Sequence, residues 1–430
     1  MSLPLTRRQA LGRIAAIASV SIVPSRVLGL NGQTAPSNQL TKGIIGCGVI
    51  SGNHLSMPGK LLALCDVDSK HLANKMNAAK NRGETDVKAY SDFRELIARD
   101  DIDIVHIATP PHWHAYMAIA AAKAGKDIWC EKPMSRTIGE GLDMIKAVQD
   151  EKRIFRINTW FRFNSNYYGL HRPASDVWKV CHHKLLGDGP YTFNLGKGFV
   201  GNWKLEQWAG RTDLTVQPIP EELDYDTWLG PAPNKPYHPH RVHGSFRGYW
   251  DYDGGGLGDM GQHYLDPCQF VLGKDNESPV QIEVDTQKQD ADAVLPWRRV
   301  EMTYKDGTKI ILDAEGSPRD PILSGPKGSI LRGFRSREIP DLDAKLKELA
   351  GPPPMITDFH QAVRERKQFA LNENNGFRSC TLINISKVAL RLGRSLNFDS
   401  DKLLFVDDDE ANTYINQTNR EKWDHKTLLG

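Results

Sequence analysis

The sequence predicts an α/β fold: a doubly wound parallel sheet over residues 40–160, then an α+β domain with an open, mostly antiparallel sheet over residues 161–430. Three observations predict it. Apolar runs alternate with helical stretches from Lys42 to Asn158, a pattern that gives a parallel sheet with helices on both faces. A glycine turn, Gly46-Cys47-Gly48, follows the first apolar run, and Asp66 closes the second, twenty positions after Gly46. Beyond residue 280, alternating runs flank Asp306-Gly307, a good hairpin turn. At 430 residues the chain is also too long for one ordinary core.

The composition, 40% hydrophobic and 25% charged, is that of a soluble globular protein. A formal net charge of +2 gives no reason to expect nucleic acid or an anionic membrane as partner. The N-terminus differs. Arg7-Arg8 precedes a mild apolar run, Ile14–Val23, and a polar stretch to Gln39. Residues 1–37 resemble a twin-arginine export signal. The apolar run is too short to span a bilayer, so no membrane anchor is expected. Processing falls between Arg26 and Ser37, and the folded chain starts near Leu40. Export after folding suits a protein that must bind its nucleotide first and then work in the periplasm. If the leader is instead a basic amphipathic helix or a disordered tail, the protein stays cytoplasmic. The six cysteines show no CxxC spacing, which suggests neither a zinc site nor a disulfide framework.

In the first domain, Gly43-Ile44-Ile45 is a strand leading into the glycine turn, and Leu61–Cys65 is the second strand. In a dinucleotide-binding βαβ unit the first glycine makes the tight turn and the second lets the backbone approach the pyrophosphate. The acid at the second strand's end accepts the ribose hydroxyls. Ser51 stands at the third small position, with Gly52 one later. A carboxylate at Asp66 repels a ribose 2′-phosphate, which favours NAD over NADP. Ser69–Ala79 reads as helix, Ser91-Asp92-Phe93 caps a helix through Ile97, and Ile102–Ala108 is a strand. Ala115–Ala124 is helical, and Asp127–Cys130 and Ile154–Asn158 are strands. Ligands bind beyond the carboxyl ends of such strands, where Thr109-Pro110-Pro111-His112-Trp113-His114 and Glu131-Lys132-Pro133 lie. The prolines stiffen a loop beneath the nicotinamide. His112 and His114 are ligand contacts or, alternatively, capping and packing residues. Lys132, rigidly presented between a strand end and a proline, can donate to a substrate oxygen and stabilise developing alkoxide; otherwise it is a surface charge. The expected cofactor contacts are Gly46, Gly48, Val49, Ile50, Asp66, Thr109, Pro110, His114, Glu131 and Lys132.

In the second domain, Trp160-Phe161-Arg162-Phe163-Asn164 leads in from the last strand, and Arg162 either fixes a polar substrate or makes a domain-interface salt bridge. Residues 203–250 are rich in aromatics, which suit sugar C–H faces or a loop-rich core equally. His238, His240 and His243 form an HxHxxH run without helix spacing or a completing ligand, so no metal is expected. In Trp250–Asp266, three glycines form a turn before a helix that carries Asp259 and His263 at i and i+4, on one face. A carboxylate beside an imidazole orients it and raises its basicity, as a general base requires. Pro267 argues for a kink or early stop. Val280–Asp285, Val300–Tyr304 and Lys309–Asp313 read as strands of the open sheet, one face of which suits a homo-oligomer interface. Leu382, Ile385, Ala389, Leu392 and Leu396 recur as one helical face.

Gly46-Cys47-Gly48-Val49-Ile50-Ser51, Glu131-Lys132-Pro133 and Gly254-Gly255-Gly256…Asp259…His263 occur in the order seen in the Gfo/Idh/MocA oxidoreductases, which the chain resembles over essentially its whole mature length. The resemblance implies a Rossmann NAD-binding domain, Lys132 in contact with cofactor and substrate, and His263 as general acid/base beside Asp259. Lys132, Arg162, Asp259 and His263 are then the expected substrate contacts. The implied activity is an NAD-dependent dehydrogenase of a secondary alcohol in a sugar or glycoside. Redox-neutral glycoside cleavage through transient oxidation, which relatives perform, is the alternative, although the hydrolytic branch is expected to lack Lys132. A nucleotide-loaded sensor without turnover is the third.

Overall fold

A computed structural model of the chain describes residues 39–159, 162, 172–200, 203–317 and 319–429. The leader and Trp160, Phe161, Phe163 and Asn164 lie outside the described residues.

The first sheet has six parallel strands: β1 (Thr41–Ile45), β2 (Lys60–Cys65), β3 (Lys88–Tyr90), β4 (Ile104–Ile107), β5 (Asp127–Cys130) and β6 (Phe155–Ile157), in the order β3-β2-β1-β4-β5-β6. Strand order reverses between β1 and β4, so the loops after these two strands open a crevice at the sheet's carboxyl edge. Helices cover both faces and bury the central strands throughout. Three of them start where a side-chain acceptor meets the first free amides. Asp68 caps α2 (Ser69–Asn81), after the short α1 (Ser51–Ser56), and Asp92 caps α3 (Phe93–Ile97). The alanine-rich α4 (His114–Lys123) is followed by α5 (Ile138–Asp150), capped by Thr137. β3 is a three-residue edge strand and α5 follows a proline-interrupted loop; the apolar pattern singled out neither.

The second sheet contains β7 (Thr192–Leu195), β8 (Gln281–Thr286), β9 (Trp297–Thr303), β10 (Lys309–Asp313), β11 (Leu323–Gly325), β12 (Gly328–Ile330), β13 (Leu396–Asp399) and β14 (Leu404–Phe405). Their order is β12-β11-β7-β10-β9-β8-β13-β14, antiparallel except for β7 beside β10. The β9–β10 hairpin turns at Asp306-Gly307, where Gly307 has φ +84°. Two long helices, α6 (Gly255–Leu272) and α7 (Glu373–Leu392), pack on each other behind this sheet.

Two expectations are corrected here. Pro267 does not stop α6, which runs on to a left-handed cap at Gly273, φ +72°. A proline inside a helix costs about 3 kcal/mol, but every α6 residue except Met260 is buried, and that burial outweighs it. Leu396 does not extend the apolar face of α7, because the helix ends at Gly393 (φ +66°) and Leu396 begins β13.

Two stretches of the second half return to the first. Residues 203–253 cross its carboxyl edge, where Ser69 N–H donates to Glu222 O (2.9 Å) and Asp224 N–H to Val67 O (3.0 Å). The C-terminal segment lies beside α4 and α5, with Trp423 buried against Phe93, Trp113 and Tyr116. Among the described residues no helix is long and apolar enough to cross a membrane.

Candidate active site

A cavity of about 630 Å³ opens where residues 203–253 and the start of α6 face the carboxyl edge of the first sheet. Its first-domain wall is made of strand ends. Gly46 has φ +93°, and a Cβ there would lie 2.6 Å from Ala108 O, so only glycine fits this turn between β1 and β4. Gly48 has open space where its Cβ would be, and Val49 is 99% exposed toward the cavity. This bare strip of backbone is a cradle suited to a diphosphate. Ser51, at the third small position, is buried and donates to Gly48 O (2.6 Å), closing the turn from behind. Asp66 accepts from Cys47 N–H (2.6 Å) and Asp68 N–H (2.8 Å) at the cavity wall. Burial pushes its carboxyl up, against those two amides.

Of the expected cofactor contacts, Gly46, Gly48, Val49, Ile50, Asp66, Thr109, Pro110, Glu131 and Lys132 line the cavity. His114 does not. It is fully buried beneath the wall, its ring nitrogens 2.7 Å from Pro133 O and 2.9 Å from Thr109 O. The ring packs between the two loops that do face the cavity, its alternative packing reading, and this corrects the expectation of a cofactor contact. His112 likewise packs inward, on the Trp228 carbonyl at 2.8 Å. Glu131 is anchored by His54 (2.9 Å) and Asn158 (2.6 Å). Burial raises its carboxyl, but the His54 bond and nearby cations outweigh this and hold it at about 2.

The opposite wall brings Asp259 and His263 from α6 against Lys132. Lys132 Nζ donates to Asp259 Oδ1 (2.9 Å) and to Asp259 O (2.8 Å), a link between the domains. Arg247 Nε lies 2.8 Å from the same Oδ1, within ion-pair range but off the hydrogen-bond direction. Its guanidinium sits between Trp208 and Phe246, 5.0 and 4.9 Å from their ring centres, which aims it at the site. Burial opposes ionisation of Asp259, but Lys132 and Arg247 overcome it and lower its carboxyl to about 2. His263 is buried, and burial first, then Lys132, lowers its pKa to about 3. Asp259 raises the histidine's basicity, as expected, but by less than Glu131, and burial and Lys132 outweigh both. The imidazole is therefore neutral at physiological pH.

Arg162 lies away from the cavity. Its buried guanidinium bonds Asp266 (2.8 and 3.0 Å) and Asp275 (2.6 and 2.8 Å). Two carboxylates engage all three of its nitrogens, so Arg162 makes a salt bridge, its other reading, and this corrects its expected substrate role.

Asp253 is a site residue that the motif spacing did not single out. Its carboxylate is buried at the cavity wall, and neither oxygen has a hydrogen-bond partner. A Cβ at Gly258 would overlap Asp253 Oδ1, and one at Gly254 would crowd the Lys387 stem. The glycines before and within α6 therefore make room for a buried acid and a buried amine. Burial, then Asp259, pushes the Asp253 carboxyl up to about 7. Its sequence signal was an acid directly before a glycine run. The aromatics between residues 223 and 252 largely form a small core of their own, including Tyr225, Trp228, Tyr237, Tyr249 and Tyr252.

Comparison with known proteins adds an independent line. Residues 40–159 match the description "Oxidoreductase family, NAD-binding Rossmann fold" of the Gfo/Idh/MocA group, and residues 170–425 match its "Oxidoreductase family, C-terminal alpha/beta domain". An inositol 2-dehydrogenase of Salmonella typhimurium is 32% identical over 138 residues, 30% of this chain and 40% of that protein. A glycosyl hydrolase family 109 protein of Solibacter usitatus is 31% identical over 164 residues, 34% of this chain and 37% of that one. The chain thus spans two fifths or less of these curated relatives' length. The solved WlbA dehydrogenase of Bordetella pertussis, in complex with NADH and UDP-GlcNAcA, superposes with a TM-score of 0.56 over 84% of this chain and 99% of that one. At 19% identity this is a likeness of fold.

Proposed function

The chain belongs to the Gfo/Idh/MocA oxidoreductase family, and from that premise we propose that it is an NAD-dependent dehydrogenase acting between a secondary hydroxyl of a sugar or glycoside and the corresponding ketone. The observation that carries this reading is the convergence of Lys132, from the first domain, with Asp259 and His263, from the second, on the cavity that also contains the Gly46–Ile50 turn.

Gly46, Gly48, Val49, Ile50, Asp66, Thr109 and Pro110 would hold the dinucleotide, which supplies the hydride acceptor. The Asp66 carboxylate repels a ribose 2′-phosphate, and NAD is the cofactor proposed. In the oxidative direction, neutral His263 takes the proton of the reacting hydroxyl. Lys132 donates to that oxygen as negative charge develops on it, the moment at which a fixed donor is worth most. Asp259 holds Lys132 in place. We also propose export through the paired arginines, which cell fractionation tests.

The decisive experiment is mass spectrometry of the nucleotide carried by the purified protein, followed by a sugar and glycoside screen for NADH absorbance. His263→Ala is expected to keep the nucleotide and lose turnover; unchanged turnover refutes the assignment. The family 109 relative motivates the second reading, redox-neutral glycoside cleavage. Chromatography separates the two: a keto-glycoside supports dehydrogenation, and free aglycone supports cleavage. Absence of both a redox change and a released aglycone across the screen points to a sensor.

A further inference from the structure

At the rim of the cavity, the end of the first domain's second βα loop meets the inserted segment. Asp68 caps α2, His71 lies in that helix's first turn, and His243 reaches across from residues 203–253. One ligand atom of each residue lies within 4.8 Å of the other two. We propose that Asp68, His71 and His243 bind a divalent transition-metal ion of the zinc class, which clasps the inserted segment to the first domain beside the dinucleotide cleft.

Ligand chemistry points to that class. Two imidazoles and one carboxylate oxygen suit zinc, cobalt, nickel or copper, whereas magnesium and calcium prefer all-oxygen sets. The carboxylate is already oriented. Asp68 Oδ1 accepts from Lys70 N–H and His71 N–H, both 2.9 Å, while Oδ2 is turned toward His243 Nε2 at 3.4 Å. An outer bond on one oxygen that aims the other is a recurring support of metal ligands. His243 holds a left-handed backbone at φ +53°, a conformation that costs a non-glycine residue about 1 kcal/mol or more and is often retained where a side chain must be aimed. The His71 and His243 rings are 4.4 Å apart and tilted by 55°. Asp66 and Glu222 add negative charge that suits a dication.

The rest of the HxHxxH run is committed elsewhere. His238 Nδ1 accepts from His240 N–H (2.9 Å), and His240 Nδ1 lies 2.7 Å from the Tyr249 hydroxyl. The site is therefore built across two segments and not from the run itself. Zinc bonds of about 2.0–2.1 Å in a tetrahedral shell require the three atoms to draw together by roughly an ångström. The His243 side chain, 39% exposed, is free to do so. Three protein ligands leave one position open toward the cavity.

The test uses the untagged full chain, stripped with chelator and titrated with Co²⁺ and then Zn²⁺. One equivalent of Co²⁺ with visible d–d absorption, displaced by one equivalent of Zn²⁺, is expected. His71→Ala and His243→Ala should each weaken binding more than the roughly 10–100-fold typical of losing an outer-sphere partner. His240→Ala should leave binding unchanged. Asp68→Asn keeps the capping oxygen, so its loss of affinity is separable from misfolding by circular dichroism. No saturable Co²⁺ band on the wild-type chain, or a band that survives both histidine substitutions, overturns the site. None of these readouts depends on turnover.

Discussion

The two walls of the cavity are held in different ways. On the first-domain side, Gly46, Asp66, Thr109 and Glu131 sit at the ends of four hydrogen-bonded parallel strands, so one backbone register fixes them all. On the opposite side, Arg247, Asp253 and His243 come from a stretch whose helices are short, set by individual contacts such as the half-buried Arg241–Asp292 ion pair. Backbone builds the first wall, and side chains build the second. The two acids near the start of α6 show what this permits. Asp259 faces two cations and is held at about 2, while Asp253, six residues earlier, faces Asp259 and titrates near 7. One wall thus carries an anion, inside α6, and an acid able to hold a proton, just before it.

This contrast can be broken from either side. His263→Ala is expected to have the largest effect, lowering turnover by about 10²–10⁴-fold without releasing the nucleotide, as stopped-flow and nucleotide extraction will show. Gly46→Ala strikes the backbone wall. Its positive φ and the Ala108 carbonyl leave no place for a methyl group, so loss of NAD binding and a destabilisation of about 1–3 kcal/mol are expected. Calorimetry that finds normal binding would show that the turn is less rigid than described.

Asp253→Asn sharpens the comparison on the other wall. The unfolded chain loses this proton near the ordinary carboxylate value, whereas the folded chain keeps it to about 7. The native state binds more protons in that window, so wild-type stability from this group is present at low pH and lost as pH rises toward 7. The asparagine should therefore gain on wild type between pH 4 and 8, by at most about 4 kcal/mol. Thermal unfolding of nucleotide-free protein at both pH values checks this, and an equal difference at both would sink the assignment. The smallest effect belongs to the exposed Lys70–Glu222 pair, which joins the inserted segment to α2. Lys70→Ala should leave thermal stability almost unchanged, because the neighbouring backbone bonds hold the same junction.

Legibility in the sequence follows the same division. β5 falls on Asp127–Cys130 as expected, and Asp92 caps its helix, because apolar period and capping chemistry are local. The Gly46 turn was legible for the same reason. Pro267 misleads because a local rule meets a helix buried on all sides. His114 misleads because it is close in sequence to cavity residues yet points the other way, and Arg162 because its two acid partners are more than 100 residues distant. Arg247, Asp253 and His243 depend on how the inserted segment lies on the first domain, which no spacing within it records.

The C-terminal return has a consequence for how the chain can be cut. Trp423 is enclosed by Phe93, Trp113 and Tyr116, His425 bonds Asp143 (2.8 Å), and Gly139 N–H donates to Ile415 O (2.9 Å). A fragment ending near residue 160 would leave this aromatic socket open to water. During synthesis, the nucleotide-binding half must wait some three hundred residues for its last aromatic partner. The two halves are distinct in sequence, but they complete their folding as one.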